Sequence, residues 1–459
     1  MVRRFVFWIM MLWIGSTAFA EYKEVIINDA PFTMEPIKEF IFPNQEFPIT
    51  RYGAKADGKR VCTTAIRKAM EACHKAGGGY VVVPAGTWLT GAIHFLSNCN
   101  LRLEEGAILE FTDNPDDYLP AVQTTWEGVE CYNYSPLVYA FDCDNIAISG
   151  TGKLAPRMNY WRTWFTRPDS HIEATRKLYT WCSEYVDLKE RQLADTLSRM
   201  RPHLIQFNRC RNVLLEDFSI RESPFWTIHL FLCDGAIARR LNVYAHGHNN
   251  DGIDLEMTRN VLVEECQFDQ GDDGIVIKAG RNQDAWRLAT SSENIVVRDC
   301  LIHNAHSILG IGSELSGGIR NVYLTNCITD QFVNRAIFVK TNHRRGGFVE
   351  NIYVKGIQTH SCDLVFGLDT EVIYQWKDFP DYETRITRIE GLHIEDIQVD
   401  ECQQVFYLHG DSRLPAKDIK VHNIKVNKYK NKNDYPQYSE DKFVNLRYFA
   451  YLCIQNHML

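Results

Sequence analysis

One template recurs along this chain and leaves few folds open to it. Arg211-Asn212-Val213-Leu214-Leu215-Glu216-Asp217-Phe218 is followed by Arg259-Asn260-Val261-Leu262-Val263-Glu264-Glu265-Cys266 and by Glu293-Asn294-Ile295-Val296-Val297-Arg298-Asp299-Cys300. Arg320-Asn321-Val322-Tyr323-Leu324-Thr325-Asn326-Cys327 and Glu350-Asn351-Ile352-Tyr353-Val354 continue it. A weaker copy, Gly235-Ala236-Ile237-Ala238, falls midway between the first two, giving steps of 24 and 24; the later steps of 34, 27 and 30 leave extra residues for loops. Short alternating apolar strands at this period, separated by Asn, Gly and Asp turns, predict a parallel β-solenoid. A single repeat cannot bury its apolar face, whereas stacked repeats share one continuous core. The expected fold is all-β, a single-domain parallel β-helix, right-handed by the general crossover preference of parallel strands.

The repeat core is expected to span about residues 48–425. At its start, Tyr52 to Gly58 form a turn into a helix of about fourteen residues, with Ile66, Ala69, Met70 and Cys73 as its apolar stripe and Gly77-Gly78-Gly79 at its end. Such a helix caps the open end of a solenoid, where bare strand edges invite aggregation. Strands follow at Tyr80–Val83 and Leu101–Leu103. Residues 156–200 carry Trp161, Trp164, Trp181 and many charges without the repeat, and read as a partly helical insertion. The tail from Asn427 to Leu459 is expected to pack back on the barrel.

With 45% hydrophobic and 24% charged residues the chain is globular, and the repeat replaces the several domains its length would otherwise allow. Residues 1–20 read as a signal peptide: Arg3 and Arg4, an apolar core from Phe5 to Ile14, then Ala18-Phe19-Ala20 as a cleavage site. Export to the periplasm or the exterior is expected, and cleavage takes the formal charge from −8 to −10. The apolar stretch is short for a membrane span. Cys266, Cys300 and Cys327 each stand six residues after the repeat Asn, as an inward ladder of reduced thiols. No Cys-x-x-Cys pair suggests structural zinc.

Two acidic turns, Asn249-Asn250-Asp251-Gly252-Ile253-Asp254 and Gly271-Asp272-Asp273-Gly274, place Asp251 21 residues before Asp272 and 22 before Asp273. That offset is one coil, so the three carboxylates lie side by side on one face. Crowding raises the pKa of some acids and leaves others ionised. A glycosidase needs that division, one protonated acid and one ionised base.

At these residues the chain resembles glycoside hydrolase family 28, the polygalacturonase-like enzymes, over roughly residues 48–425. The motifs that carry the resemblance are Asn249-x-Asp251-Gly252, Gly271-Asp272-Asp273, Ile311-Gly312-Ser313-Glu314 with His306 ahead of it, and Lys340. Tyr52-Gly53-Ala54, Val83-Pro84-Ala85-Gly86, Ser223-Pro224-Phe225-Trp226 and the stretch from Arg335 to Gly347 are similar to the bacterial, exo-type members. The resemblance implies an inverting hydrolase of α-galacturonosyl linkages, working on an anionic pectic chain as a monomer without cofactor, metal or nucleic-acid partner. Asp272 would be the general acid, with Asp251 and Asp273 activating water across carboxyls about 6.5–9.5 Å apart. His306 would tune the acid, Lys340 would hold a substrate carboxylate, and Asn249 would position its neighbours.

Two departures matter. The family's Gly-His-Gly reads Ala305-His306-Ser307, and its Arg-Ile-Lys reads Phe338-Val339-Lys340. The missing arginine grips a uronate beyond the cleavage point. Phe338 leaves room for a neutral sugar such as rhamnose to pack there, while Arg335, Arg344 and Arg345 remain as sources of charge. A β-helix pectate lyase and a non-catalytic pectin-binding solenoid are the alternatives, and neither predicts the acid trio.

Overall fold

The computed structural model describes residues 21–372 and 383–430. The signal segment and the tail beyond residue 430 lie outside the described residues. The body is a right-handed parallel β-helix, in which strands from Glu46–Pro48 to Lys417–Tyr429 pair in parallel with those one coil earlier and later. Ile146, Val213, Ala236, Val261, Ile295, Val322, Ile352 and Leu392 follow one another in register through successive coils, and all are buried. This row is the inward face of the repeat.

The repeat Asn has a backbone reason. Asn145, Asn212, Asn260, Asn294, Asn321 and Asn351 all have φ between 52° and 57°, the left-handed region that asparagine tolerates better than most residues. Their amides also bond along the axis: Asn294 donates to Asn260 at 3.1 Å, Asn321 to Asn294 at 3.0 Å and Asn351 to Asn321 at 3.1 Å. Gly235 and Gly391 occupy the same register with φ of 75°. The weak copy is therefore aligned on Gly235, and the steps are 23 and 25 rather than 24 and 24. Glycine replaces asparagine because both reach the same backbone conformation.

Helix Thr63–Lys75 buries Ala65, Ile66, Ala69, Met70 and Cys73 against the first coils. The thirteen cysteines among the described residues are buried and unbridged. The insertion contains helices Asn159–Thr163 and Asp169–Ser183. A β-hairpin that the repeat does not announce, Val122–Trp126 with Val129–Asn133, joins it. Trp126, Val129, Leu178, Tyr179, Cys182, Phe225 and Trp226 form a second apolar core between hairpin, helix and barrel.

The asparagine ladder predicts that Asn294→Ala lowers stability by about 1–3 kcal/mol, combining two lost amide bonds with left-handed backbone strain. Asn294→Gly should cost about 1 kcal/mol less, because only the bonds are lost. Equal costs for the two in urea unfolding would show that the backbone conformation contributes nothing.

Candidate active site

Strands Ile228–Phe231, Ile253–Glu256, Ile275–Lys278 and Ala305–Gly312 are held in register through Ile228, Ile253, Ile275 and Leu309, all inward. Side chains alternate along a strand, so the positions between them form rows on the outer face. One row runs His229, Asp254, Val276, Gly310 and Phe338; the next runs Phe231, Glu256, Lys278, Gly312 and Lys340. Asp251 and Asp273 stand two residues ahead of the paired Ile253 and Ile275, with Ser307 and Arg335 continuing their row.

The predicted acids meet. One oxygen from each of Asp251, Asp272 and Asp273 lies within 4.8 Å of the others. This is closer than the separation of about 6.5–9.5 Å expected for an inverting pair. The distance reflects adjacent positions on neighbouring coils, and carboxyl separation alone does not argue for inversion here. Asp273 accepts a 2.8 Å bond from Lys340 Nζ and another from the Ser307 hydroxyl. Asp272 Oδ1 lies 3.0 Å from His306 Nδ1. Buried Asp251 has no hydrogen-bond partner on Oδ1, and its Oδ2 is 3.5 Å from Lys278 Nζ.

Environment divides the protons. Burial, then the charge of Asp272, pushes Asp251 up to about 8. Burial also pushes Asp272 up, but its bond to His306 and the charges of His306, Lys340 and Lys278 outweigh this and hold it at about 2. The same bond to Asp272 raises His306. The ligand-free cluster thus keeps its proton on Asp251 and leaves Asp272 ionised. The trio is close enough to embrace a cation, yet Lys340 and Lys278 already supply positive charge there.

The remaining predicted residues are placed as follows. Asn249, at φ 59°, accepts a 3.0 Å bond from buried Arg201, which also donates to the carbonyls of Pro224 and His248. Lys340 is ion-paired with Asp273 at 2.8 Å, which places its ammonium at the acid cluster. Arg345 is buried and donates to the Ser313 carbonyl and Asn282 Oδ1, so it is not poised to swing in as the missing arginine. Arg344 is half-buried, its backbone N–H bonded to Asn342 Oδ1. Phe338 is only 7% exposed and does not present the open ring face expected of it. Its ring lies beside Gly367, where an added Cβ would come within 2.8 Å, and the Arg335 guanidinium covers it at 4.4 Å.

Sequence reasoning missed Lys278. Its ammonium is buried 3.5 Å from Asp251, 3.4 Å from Asp254 and 3.6 Å from Glu314, and 3.7 Å above the Trp226 ring. Burial disfavours its charge, but the carboxylates Asp251, Asp254 and Glu314 outweigh this and raise it. The signal was available: Ile253-Asp254-Leu255-Glu256 and Ile275-Val276-Ile277-Lys278 put charges at outward positions of otherwise apolar strands. The hairpin was missed too. Trp126 stacks on Phe225 at 4.1 Å, Glu127 accepts from Tyr179 at 2.5 Å, and Arg281 joins Glu127 to Glu314 at 3.3 and 2.6 Å. A wall of hairpin and insertion therefore stands over Trp226, one coil before Asp251.

A β-helix with carboxylates and lysines gathered on one outer sheet is suited to hydrolysing a carbohydrate chain. Residues 183–441, more than half of the chain, match the family model described as Glycosyl hydrolases family 28, and the chain belongs to that family of glycoside hydrolases. It is similar to a probable polygalacturonase of Vitis vinifera, 23% identical over 82% of this chain and 73% of the relative. The exo-poly-alpha-D-galacturonosidase of Dickeya chrysanthemi is 28% identical over 62% of this chain, which spans only 50% of that relative. A hyperthermoactive exopolygalacturonase from Thermotoga maritima has a solved structure with a TM-score of 0.78 at 34% identity, covering 86% of this chain and 90% of that one. A family 28 exopolygalacturonase of Yersinia enterocolitica, at 21% identity, shares the fold with a TM-score of 0.66 over 88% of this chain and 79% of that one.

Removing the buried ammonium tests the electrostatics. Lys278→Met should cost about 3–5 kcal/mol, the usual penalty for stranding one side of a buried ion pair. Adding Asp254→Asn should restore part of that stability. A loss below about 1 kcal/mol in urea unfolding would show that Lys278 is not the counter-charge.

Proposed function

We propose that this enzyme releases single galacturonate units from the non-reducing end of pectic oligosaccharides with inversion. The observation that carries this reading is the acid trio with a wall one coil away. The wall stands on one side of the acids, and the exo-acting names of the Dickeya chrysanthemi and Thermotoga maritima relatives support the same reading. Asp272 serves as the general acid and Asp273, held by Lys340 and Ser307, accepts the proton of water. Asp251 offers its unpartnered Oδ1 as a hydrogen-bond partner for that water. Before catalysis the shared proton moves from Asp251 to Asp272, as coupled carboxyls allow. The leader-like N-terminus supports export to the periplasm or exterior and the chain acts as a monomer, which mass of the mature protein and sedimentation would test. Among the described residues no helix is long and apolar enough to cross a membrane.

Asp272→Asn should lose at least about 10³-fold in turnover with the fold intact, the scale of acid–base contributions. Near-wild-type turnover would remove Asp272 from the mechanism. NMR of the first product should show the inverted anomer, and retention would assign a carboxylate nucleophile. Early digests should contain monomer, whereas a ladder of oligomers would mean internal cleavage.

The pH profile follows from the cluster proton. A carboxyl with a raised pKa keeps its proton below that value and loses it above. With Asp251 at about 8, kcat/KM should therefore hold to about pH 8 and fall beyond it. A flat profile to pH 9.5 would separate that proton from catalysis.

A further inference from the structure

We infer that Arg201 is a positioning residue of the reaction: it fixes the turn that carries Asp251, and it makes that placement depend on the docking of the hairpin and the insertion. The inference rests on the acid trio being the reacting centre and gives the wall a part beyond steric closure.

The turn needs support from outside the ladder. Strand Asn242–Ala245 ends before it and strand Ile253–Glu256 begins after it, so residues 246–252 lie between ladder segments. Two buried side chains hold it. Asn250 donates at 2.9 Å to the carbonyls of both Ser223 and Phe225. Arg201, 1% exposed, donates to the carbonyls of Pro224, at 3.0 Å, and His248, and at 3.0 Å to Asn249 Oδ1. Its rigid fork thus ties two consecutive residues of the turn to the segment one coil earlier. Asp251 follows two residues after the second of them.

The same guanidinium is boxed by three rings, each from a different part of the molecule. Trp126 of the hairpin lies at 5.8 Å, Phe165 of the insertion at 5.1 Å and Phe225 of the barrel at 4.9 Å. Phe165 also reaches the turn directly, since a Cβ on Gly247 would come within 2.2 Å of its ring. Neither hairpin nor insertion can move away without uncovering the cation that holds the turn. Packing alone does not account for an arginine here. Burying a guanidinium is costly, its Nε has no hydrogen-bond partner among the described residues, and an apolar residue would fill the box without that penalty. An apolar residue could not supply the bonds to His248 and Asn249.

A shift of this turn reaches the second acid as well. The Asp272 N–H donates to the Asn250 carbonyl at 3.3 Å, and a Cβ on Gly271 would come within 2.7 Å of the Gly247 backbone, so the two acidic turns touch main chain to main chain. A displacement of about 1 Å at a reacting group costs about 10²-fold in rate.

The test measures kcat and KM on digalacturonate, with Tm, for Arg201→Met, Arg201→Lys, Asn249→Ala, Phe165→Leu and the double variant Arg201→Met with Asn249→Ala. Arg201→Met should lose about 10²-fold in kcat with KM changed little, and Arg201→Lys, which keeps some of the bonds, should lie between it and wild type. Asn249→Ala and Phe165→Leu should each lose about tenfold in kcat. The double variant should be no slower than Arg201→Met alone, because both substitutions break the same bond. A folded Arg201→Met with kcat within about threefold of wild type would overturn the inference, as would a loss confined to KM or a double variant whose losses multiply. If Arg201→Met does not fold, unchanged kcat in both Asn249→Ala and Phe165→Leu overturns it instead. Asp251→Asn separates the two levels. It should lose at least about 10²-fold; near-wild-type turnover there brings down the acid-trio reading itself, whereas an inactive Asp251→Asn beside an unimpaired Arg201→Met overturns only the role of Arg201.

Discussion

In a parallel ladder held in register, each side chain meets its counterparts one strand spacing away, about 4.8 Å, on the coils before and after. The inner face of this barrel profits, because apolar residues stack in continuous rows. The outer face at the acidic turns has no such comfort. Asp251 and Asp273 occupy equivalent positions on neighbouring coils, and two unit charges about 5 Å apart repel by about 3 kcal/mol at an effective dielectric of about 20. Lys278 and Lys340, from another outer row of the same sheet, return their ammonium groups to these acids. The register that builds the core thus also dictates the density of charge at the site, and the lysines follow from it.

Neutralisation is incomplete, which is what gives the cluster its chemistry. Asp273 is fully engaged by Lys340 and Ser307, and Asp272 is held by His306. Asp251 receives only a distant share of Lys278, whose charge is divided among Asp254 and Glu314 as well. It is the member that finds neutrality cheapest, so the proton rests there. An acid–base site is therefore loaded with a proton but not yet with that proton on the group proposed to donate it. Arrival of an anionic sugar adds a further negative charge and disturbs the balance that keeps Asp272 ionised.

The features most legible in the sequence were those that local backbone chemistry enforces. The Asn at each coil corner was visible because the left-handed conformation there restricts the choice of residue, and the one misregistered copy arose where Gly235 met the same demand. The capping helix and the spacing of the three acids were legible for the same reason, since both depend on one or two coils only. Lys278, Arg201 and the Trp126–Glu127 hairpin were not, because their roles exist only after segments up to about 150 residues apart are brought together: Glu127 with Arg281, Arg201 with Asn249. Phe338 was visible as a substitution, but the covering of its ring by Arg335 was not. Which face of that ring is covered depends on the rotamer of Arg335, and no pattern in the sequence encodes it.

The two ends of the groove differ in kind, and the difference decides how a polyanion would be handled. On the Trp226 side, hairpin and insertion are locked by a second core and by the Glu127–Arg281–Glu314 bridge, where charges are already paired and the surface offers steric closure. On the Arg335 side the described residues continue as coils of the barrel, and the Arg335 guanidinium rests on the Phe338 ring at 4.4 Å. A chain of net negative charge repels pectic anions at long range, so local cations beside the acids matter more than the overall charge. Under the proposed exo reading, a rigid wall on one side of a proton cluster is what would stop a chain after a single sugar, and the paired charges inside that wall are what keep it rigid.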